Sequence, residues 1–215
     1  MTQILNNIDN IIFDLGEVIV DVDTTKTIAA FTLLSAFSGN ELFSFSHQAA
    51  FFSDFERGTI GEVEFRNELR KALKKNPTDE VIDAAWNAML GDMPVTKLNI
   101  LTELKKKYQL FALSNTNPIH IRLINENLSR KNVGDCLERY FHKTFYSYNL
   151  GSRKPEDLIY ERTAAETGLV PNKTLMIDDR IDNLVTAEKM GMRVFHLKFP
   201  DQFYELFSSN KKPIA

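Results

Sequence analysis

Apolar residues follow two rhythms along this chain. Short β-rich runs recur: Ile8 and Ile11-Ile12-Phe13 before Asp14, with Val18-Ile19-Val20 after it; Leu110 to Leu113; Lys143 to Tyr148; Thr174 to Ile177; and Arg193 to Phe199. Each reads as a strand buried on both faces, because apolar positions are nearly continuous rather than alternating. Between them, apolar residues fall at helical spacing in Val95 to Tyr108, Asp157 to Thr167 and Ile181 to Met190. Gly168 and Gly191 stand where helices would stop, and Lys105-Lys106-Lys107 suits a solvated last turn. From Thr24 to Met93 the spacing is helical only, as in Ile28, Phe31, Leu34 and Val63, Phe65, Leu69, Leu73. Within it, Asn76-Pro77 breaks one helix, and Thr78 or Asp79 caps the next. Alternating strands and helices predict an α/β fold, a doubly wound parallel sheet. The stretch 24–93 interrupts it as a helical insertion, leaving 1–23 and 94–215 for the sheet.

Composition narrows the possibilities. The 215 residues suffice for one core plus a smaller insertion. A formal charge of −3 offers no basic field, which argues against a nucleic-acid partner and makes any anion site local. The 16 phenylalanines point to aromatic packing; Phe43, Phe45, Phe51, Phe52 and Phe55 read as core, and His47 as structural. Cys136 is the single cysteine, so no intrachain disulfide can form, and a reducing cytoplasm is expected. Met1 to Asn10, with no basic stretch followed by an apolar run, does not read as a signal peptide, and no uninterrupted apolar run approaches membrane-spanning length.

Four polar clusters stand where strands end, and ligands of doubly wound sheets collect at the carboxyl ends of strands. Asp14, in Asp14-Leu15-Gly16-Glu17, is placed to act as a nucleophile. Ser114-Asn115-Thr116 offers a hydroxyl and a helix N-terminus to an anion, or simply a helix cap. Lys154, in Arg153-Lys154-Pro155, can hold a phosphate oxygen and offset carboxylate charge. Asp178 and Asp179, with Asn183 following, form an acid pair that needs a cation or donors, and oxygen ligands of this kind suit Mg²⁺.

Taken in order, Phe13-Asp14-Leu15-Gly16-Glu17-Val18, Ser114-Asn115-Thr116, Lys154, and Asp178-Asp179 with Asn183 resemble the four motifs of the haloacid dehalogenase (HAD) superfamily. The stretch 24–93 occupies the slot of its inserted helical cap. Asp21 and Asp23, Glu56-Arg57-Gly58, Asn117 and Glu156 make the chain similar to the bacterial α-D-glucose-1-phosphate phosphatase branch. The resemblance implies a Rossmann-like core and a Mg²⁺-dependent phosphatase acting on a small phosphorylated metabolite, in the finer reading a sugar 1-phosphate. It implies a monomer or homodimer, Asp14 as the nucleophile, and Mg²⁺ on Asp14, the Gly16 carbonyl and Asp179, with Asp178 in support. Ser114, Lys154 and the backbone near Asn115 would then hold the phosphoryl oxygens.

One residue departs from the common pattern. Phosphatases of this superfamily usually carry a second aspartate two positions after the nucleophile, as proton donor and then base. Here Gly16 stands there, and period-2 geometry aims the adjacent Glu17 elsewhere. Two alternatives follow: a metal-independent haloacid dehalogenase, to which the acid pair would be useless, and a phospho-metabolite-binding protein that has lost turnover. Glu56 and Arg57, beside Gly58, read as an ion pair.

Overall fold

The structure, a computed structural model, describes residues 4–35 and 50–207. Phe43, Phe45 and His47 lie outside these residues. Five strands form one parallel sheet: β1 (Asn10–Phe13), β2 (Gln109–Ser114), β3 (Lys143–Tyr146), β4 (Thr174–Asp178) and β5 (Arg193–His196), in the spatial order β3-β2-β1-β4-β5. The pleat divides the strand residues between two cores. Ile11, Phe13, Leu110, Ala112, Leu175 and Ile177 face one layer. Ile12, Phe111, Leu113, Phe145 and Met176 face the other, which is why these strands read as unbroken apolar runs.

Helices flank both faces: α5 (Val95–Leu104), α6 (Pro118–Arg130), α8 (Asp157–Thr167), α9 (Ile181–Lys189) and α10 (Asp201–Phe207), with a short α7 (Ser147–Leu150) following β3. Two strands end sooner than their apolar runs suggested. The run to Tyr148 turns into α7 after Tyr146, where Ser147 Oγ accepts from Thr116 N at 3.0 Å. The run to Phe199 leaves the sheet after His196. Similarly, α5 stops at Leu104, and Lys105 reaches across to the carbonyls of Arg139 and Phe141.

Residues 24–93 contain α1 (Thr24–Leu34), α2 (Ala50–Arg57), α3 (Glu62–Leu73) and α4 (Asp79–Asn87). Thr78 caps α4, accepting from Val81 N. Their apolar stripes meet in a third core of Phe31, Phe55, Phe65, Leu69, Ile82 and Trp86, joined by Ile119 of α6. Phe55 stacks on Phe65 with ring centroids 4.1 Å apart. Much of the phenylalanine content is thus packing, each ring adding burial and a favourable pair geometry. The helical stretch leaves and rejoins the sheet by two extended segments that pair antiparallel at Val22 and Leu90, with Asp21 N on Asp92 O and Gly91 N on Asp21 O.

Candidate active site

In the order β3-β2-β1-β4-β5 the chain reverses its winding between β1 and β4, so a crevice opens at their carboxyl ends. The register sets Phe13 beside Ile177, and Asp14 N donates to Ile177 O at 2.9 Å. Asp14 and Asp178 therefore emerge side by side. Both are buried, at 8% and 0% exposure. Asp179 joins them half-buried, and one carboxylate oxygen from each of the three lies within 4.8 Å of the others.

Lys154 is the cation of this cluster. It is 1% exposed, with Nζ 2.9 Å from Asp14 Oδ1 and 2.7 Å from Asp178 Oδ2. It does not stand at a strand end, as the order of clusters suggested, but in a loop beyond α7. The Asn115 side chain holds it there, Oδ1 accepting from Lys154 N and Nδ2 donating to Lys154 O, both at 2.8 Å. That side chain is committed to the loop, so only the backbone of Asn115 is left to meet an anion. Ser114 ends β2 almost fully buried. Asp178 also accepts from Asn183 Nδ2 at 2.9 and 3.0 Å and from Arg180 N at 2.8 Å. This explains the Asn183 spacing: one turn into α9 its amide returns to the acid.

After β1 the chain folds tightly. Leu15 N donates to Asp14 Oδ1 at 2.7 Å, and Val18 N donates to Gly16 O at 2.6 Å. Glu17 has a positive φ of 55°, and its carboxylate accepts from Val22 N at 2.6 Å. One of its oxygens is thus occupied, while the residue lines a smaller pocket with Asp179, whose carboxyl its charge helps to raise.

Electrostatically the cluster is short of positive charge. Burial drives the Asp14 carboxyl up to about 7; Lys154 opposes the rise, while Asp178 and Asp179 add to it. Burial, then Asp178, raises Asp179 as well. Burial works against the Lys154 charge, but Asp14 and Asp178 hold the ammonium above the usual lysine range. Three carboxyls around one ammonium, all hard oxygen donors, fit a divalent cation that prefers oxygen.

A cavity of about 500 Å³ opens beside the cluster. Its floor includes Leu15, Gly16 and Ser114-Asn115-Thr116, its roof Phe52, Trp86 and Met89. Glu56 and Arg153 line it too. Glu56 and Arg57 do enter ion pairs, but not with each other. Glu56 pairs with Arg153 at 2.9 Å and Arg57 with Glu156, so α2 is fastened crosswise to the loop carrying Lys154. At Gly58, which ends this segment with φ +69°, a Cβ would overlap the Tyr148 carbonyl of α7. The opposite charge orders, Glu56-Arg57 and Arg153 to Glu156, were visible in the sequence; their pairing was not. Nor was His120, which is buried in the cavity wall, stacked on Trp86 at 4.9 Å.

Comparison with known proteins gives a coherent set of similarities. A model of the haloacid dehalogenase-like hydrolase family matches residues 8–191. A protein of Bacteroides thetaiotaomicron named D-ribitol-5-phosphate phosphatase is 31% identical over 189 residues, 87% of this chain and 91% of that protein. A HAD-family enzyme of the same organism, solved in complex with magnesium and inorganic phosphate, superposes with a TM-score of 0.86 at 32% identity, over 93% of this chain and 99% of the other. A HAD-like hydrolase of Porphyromonas gingivalis gives 0.81 at 31% identity, over 88% and 90%.

Proposed function

Because the chain belongs to the haloacid dehalogenase-like hydrolase family, we propose that it is a Mg²⁺-dependent phosphatase that cleaves small phosphate monoesters through an aspartyl-phosphate on Asp14. The observation that carries this reading is the Lys154 ammonium lying between Asp14 and Asp178, with Asp179 completing an oxygen cluster at the switch point. The related enzyme solved with magnesium and phosphate supports it.

Asp14 attacks phosphorus in line, held by its bond from Leu15 N and oriented by Lys154. Lys154, Ser114 and the backbone at Asn115 hold the phosphoryl oxygens, and Asn115 keeps Lys154 in place. Asp14, Asp179 and the Gly16 carbonyl would hold Mg²⁺, with Asp178 in support; when bound it supplies positive charge to the phosphoryl oxygens. The helices within 24–93 act as a cap that selects the alcohol. A haloacid dehalogenase would leave the acid pair without work.

Two ester classes are in view. The branch resemblance points to a sugar 1-phosphate, whose anomeric oxygen leaves readily without a proton donor at Gly16. The Bacteroides relative's name points to a polyol phosphate, whose primary alcohol needs one. The test is phosphate release from a panel holding both classes, with Mg²⁺ and with EDTA. Release that EDTA stops is expected. No release from any ester, or hydrolysis of 2-haloacids that survives EDTA, would overturn the reading.

A further inference from the structure

Gly16 leaves the cavity without an acid at that position, and Glu56 lines the same cavity. We propose that Glu56, at the end of α2, donates the proton to the leaving oxygen and then takes one from the attacking water. The proposal rests on the phosphatase reading above.

Three observations place Glu56. It lines the same cavity as Gly16 and Ser114. Its carboxylate lies 2.9 Å from Arg153 Nε, one residue before Lys154. It also feels the charge of Arg180, the residue after Asp179. It therefore stands against the loop that carries Lys154 and within electrostatic reach of the loop that carries the acid pair. Elimination leads to the same residue. Among the described residues lining the cavity, Glu56 is the one carboxylic acid. Glu17 is bound to Val22 N outside that lining. Arg153 cannot give up its proton. His120 is neutral at working pH, since burial depresses its pKa to about 4, and its Nε2 proton is held by Trp86 O, so it is no acid for a leaving group. Burial pushes the Glu56 carboxyl up against the pull of Arg153, Arg57 and Arg180, toward the range useful to an acid at neutral pH.

In the first step an Asp14 oxygen bonds to phosphorus as the ester P–O bond breaks, and the departing oxygen takes the Glu56 proton. In the second, a water oxygen bonds to phosphorus, its proton passes to Glu56, and the bond from phosphorus to Asp14 breaks. Alcohol and phosphate are released, and Glu56 is protonated as at the start.

The test compares E56Q with wild type on 4-nitrophenyl phosphate, whose leaving group needs no proton, and on ribitol 5-phosphate and sorbitol 6-phosphate, whose primary alcohols do. In single-turnover release of the leaving group, which reads the first step alone, the primary-alcohol esters should slow by at least about 10²-fold, the scale of one general acid–base residue, while 4-nitrophenolate release changes by less than about threefold; steady-state turnover of both falls, because the second step loses its base. Adding G16D should return at least about tenfold of the lost rate by the same criterion. A Cβ at Gly16 meets only Val22 Cγ2, at an ordinary 3.5 Å. Equal slowing of the first step on both kinds of ester, undiminished leaving-group release from the primary-alcohol esters, or a double variant no better than E56Q would overturn the assignment. Failure of the wild type to cleave even 4-nitrophenyl phosphate would instead remove the phosphatase reading beneath it.

Discussion

Gly58→Ala is expected to destabilise the protein severely, and Gly168→Ala provides its internal control. Gly58 has φ +69° and Gly168 has φ +64°, so an alanine at either suffers the same left-handed backbone penalty, about 1–2 kcal/mol. Around Gly168 a new Cβ meets nothing within 4 Å. At Gly58 it would overlap the Tyr148 carbonyl oxygen and lie 3.0 and 3.2 Å from that residue's C and Cα. These are backbone atoms, and no flexible tip can swing aside. Either α2 or α7 must retreat, and overpacking of this kind adds about 1–3 kcal/mol. A retreat also draws Arg57 from Glu156 and Glu56 from Arg153. Gly58→Ala should therefore lose roughly 2–5 kcal/mol in total, against about 1–2 for Gly168→Ala. Urea unfolding of the three proteins, compared by midpoint at constant slope, measures the difference. Equal losses would show that the approach of α2 to α7 carries no energetic weight and that only the backbone conformation matters.

Asp14→Asn should lower turnover by at least about 10³-fold, as removal of a nucleophile does, with the unfolding midpoint measured beside it because this change also takes a charge partner from Lys154; near-normal phosphate release would dismiss Asp14 as the nucleophile. Asp178→Ala and Asp179→Ala should fail differently. The first strips buried Lys154 of one partner and costs about 3–5 kcal/mol of stability, whereas the second mainly raises the Mg²⁺ needed for activity. A Mg²⁺ titration beside a urea melt of each variant separates them, and identical profiles would mean that the two acids share one role. His120, with a folded pKa near 4 against an ordinary 6.5, is neutral in both states above pH 6.5, so the fold pays no penalty there. As pH falls from 6.5 to 4 the unfolded chain takes up a proton that the fold refuses, and about 3 kcal/mol is lost. The stability difference between wild type and His120→Gln should trace that loss, and a difference independent of pH would show the ring to be protonated in place.

The sheet was legible because its strands are buried on both faces: Ile11-Ile12-Phe13 and Leu175-Met176-Ile177 admit no polar position. Acidic strand ends and the Asn183 spacing were legible because their chemistry is local. Strand ends were less so. Tyr146 and Tyr148 continue the β-like composition, and only the contact between Ser147 and Thr116, 31 residues apart, turns the chain into α7. Lys154 was recognised as a site residue but misplaced relative to the strands, because the Asn115 side chain that positions it acts across 39 residues. The pairing of Glu56 and Arg57 failed for the same reason: neighbours in sequence with opposite charge suggest each other, whereas helix geometry aims them at Arg153 and Glu156. Side chains that act over long separations leave only their residue types in the sequence.

The central place of β1 sets a timetable for the growing chain. Asn10 must pair with Gln109 on one side and with Thr174, 164 residues downstream, on the other. At roughly 5–20 residues per second of synthesis, about 10–30 s separate the appearance of this strand from that of its second neighbour. During that interval α1 to α4 emerge and can assemble their aromatic core, and β2 can cover one flank. The other flank of the strand leading to Asp14 stays open, apolar on both faces, until β4 is made. The same central position that buries the strand before Asp14 thus leaves it for many seconds as the segment most exposed to mispairing with another chain.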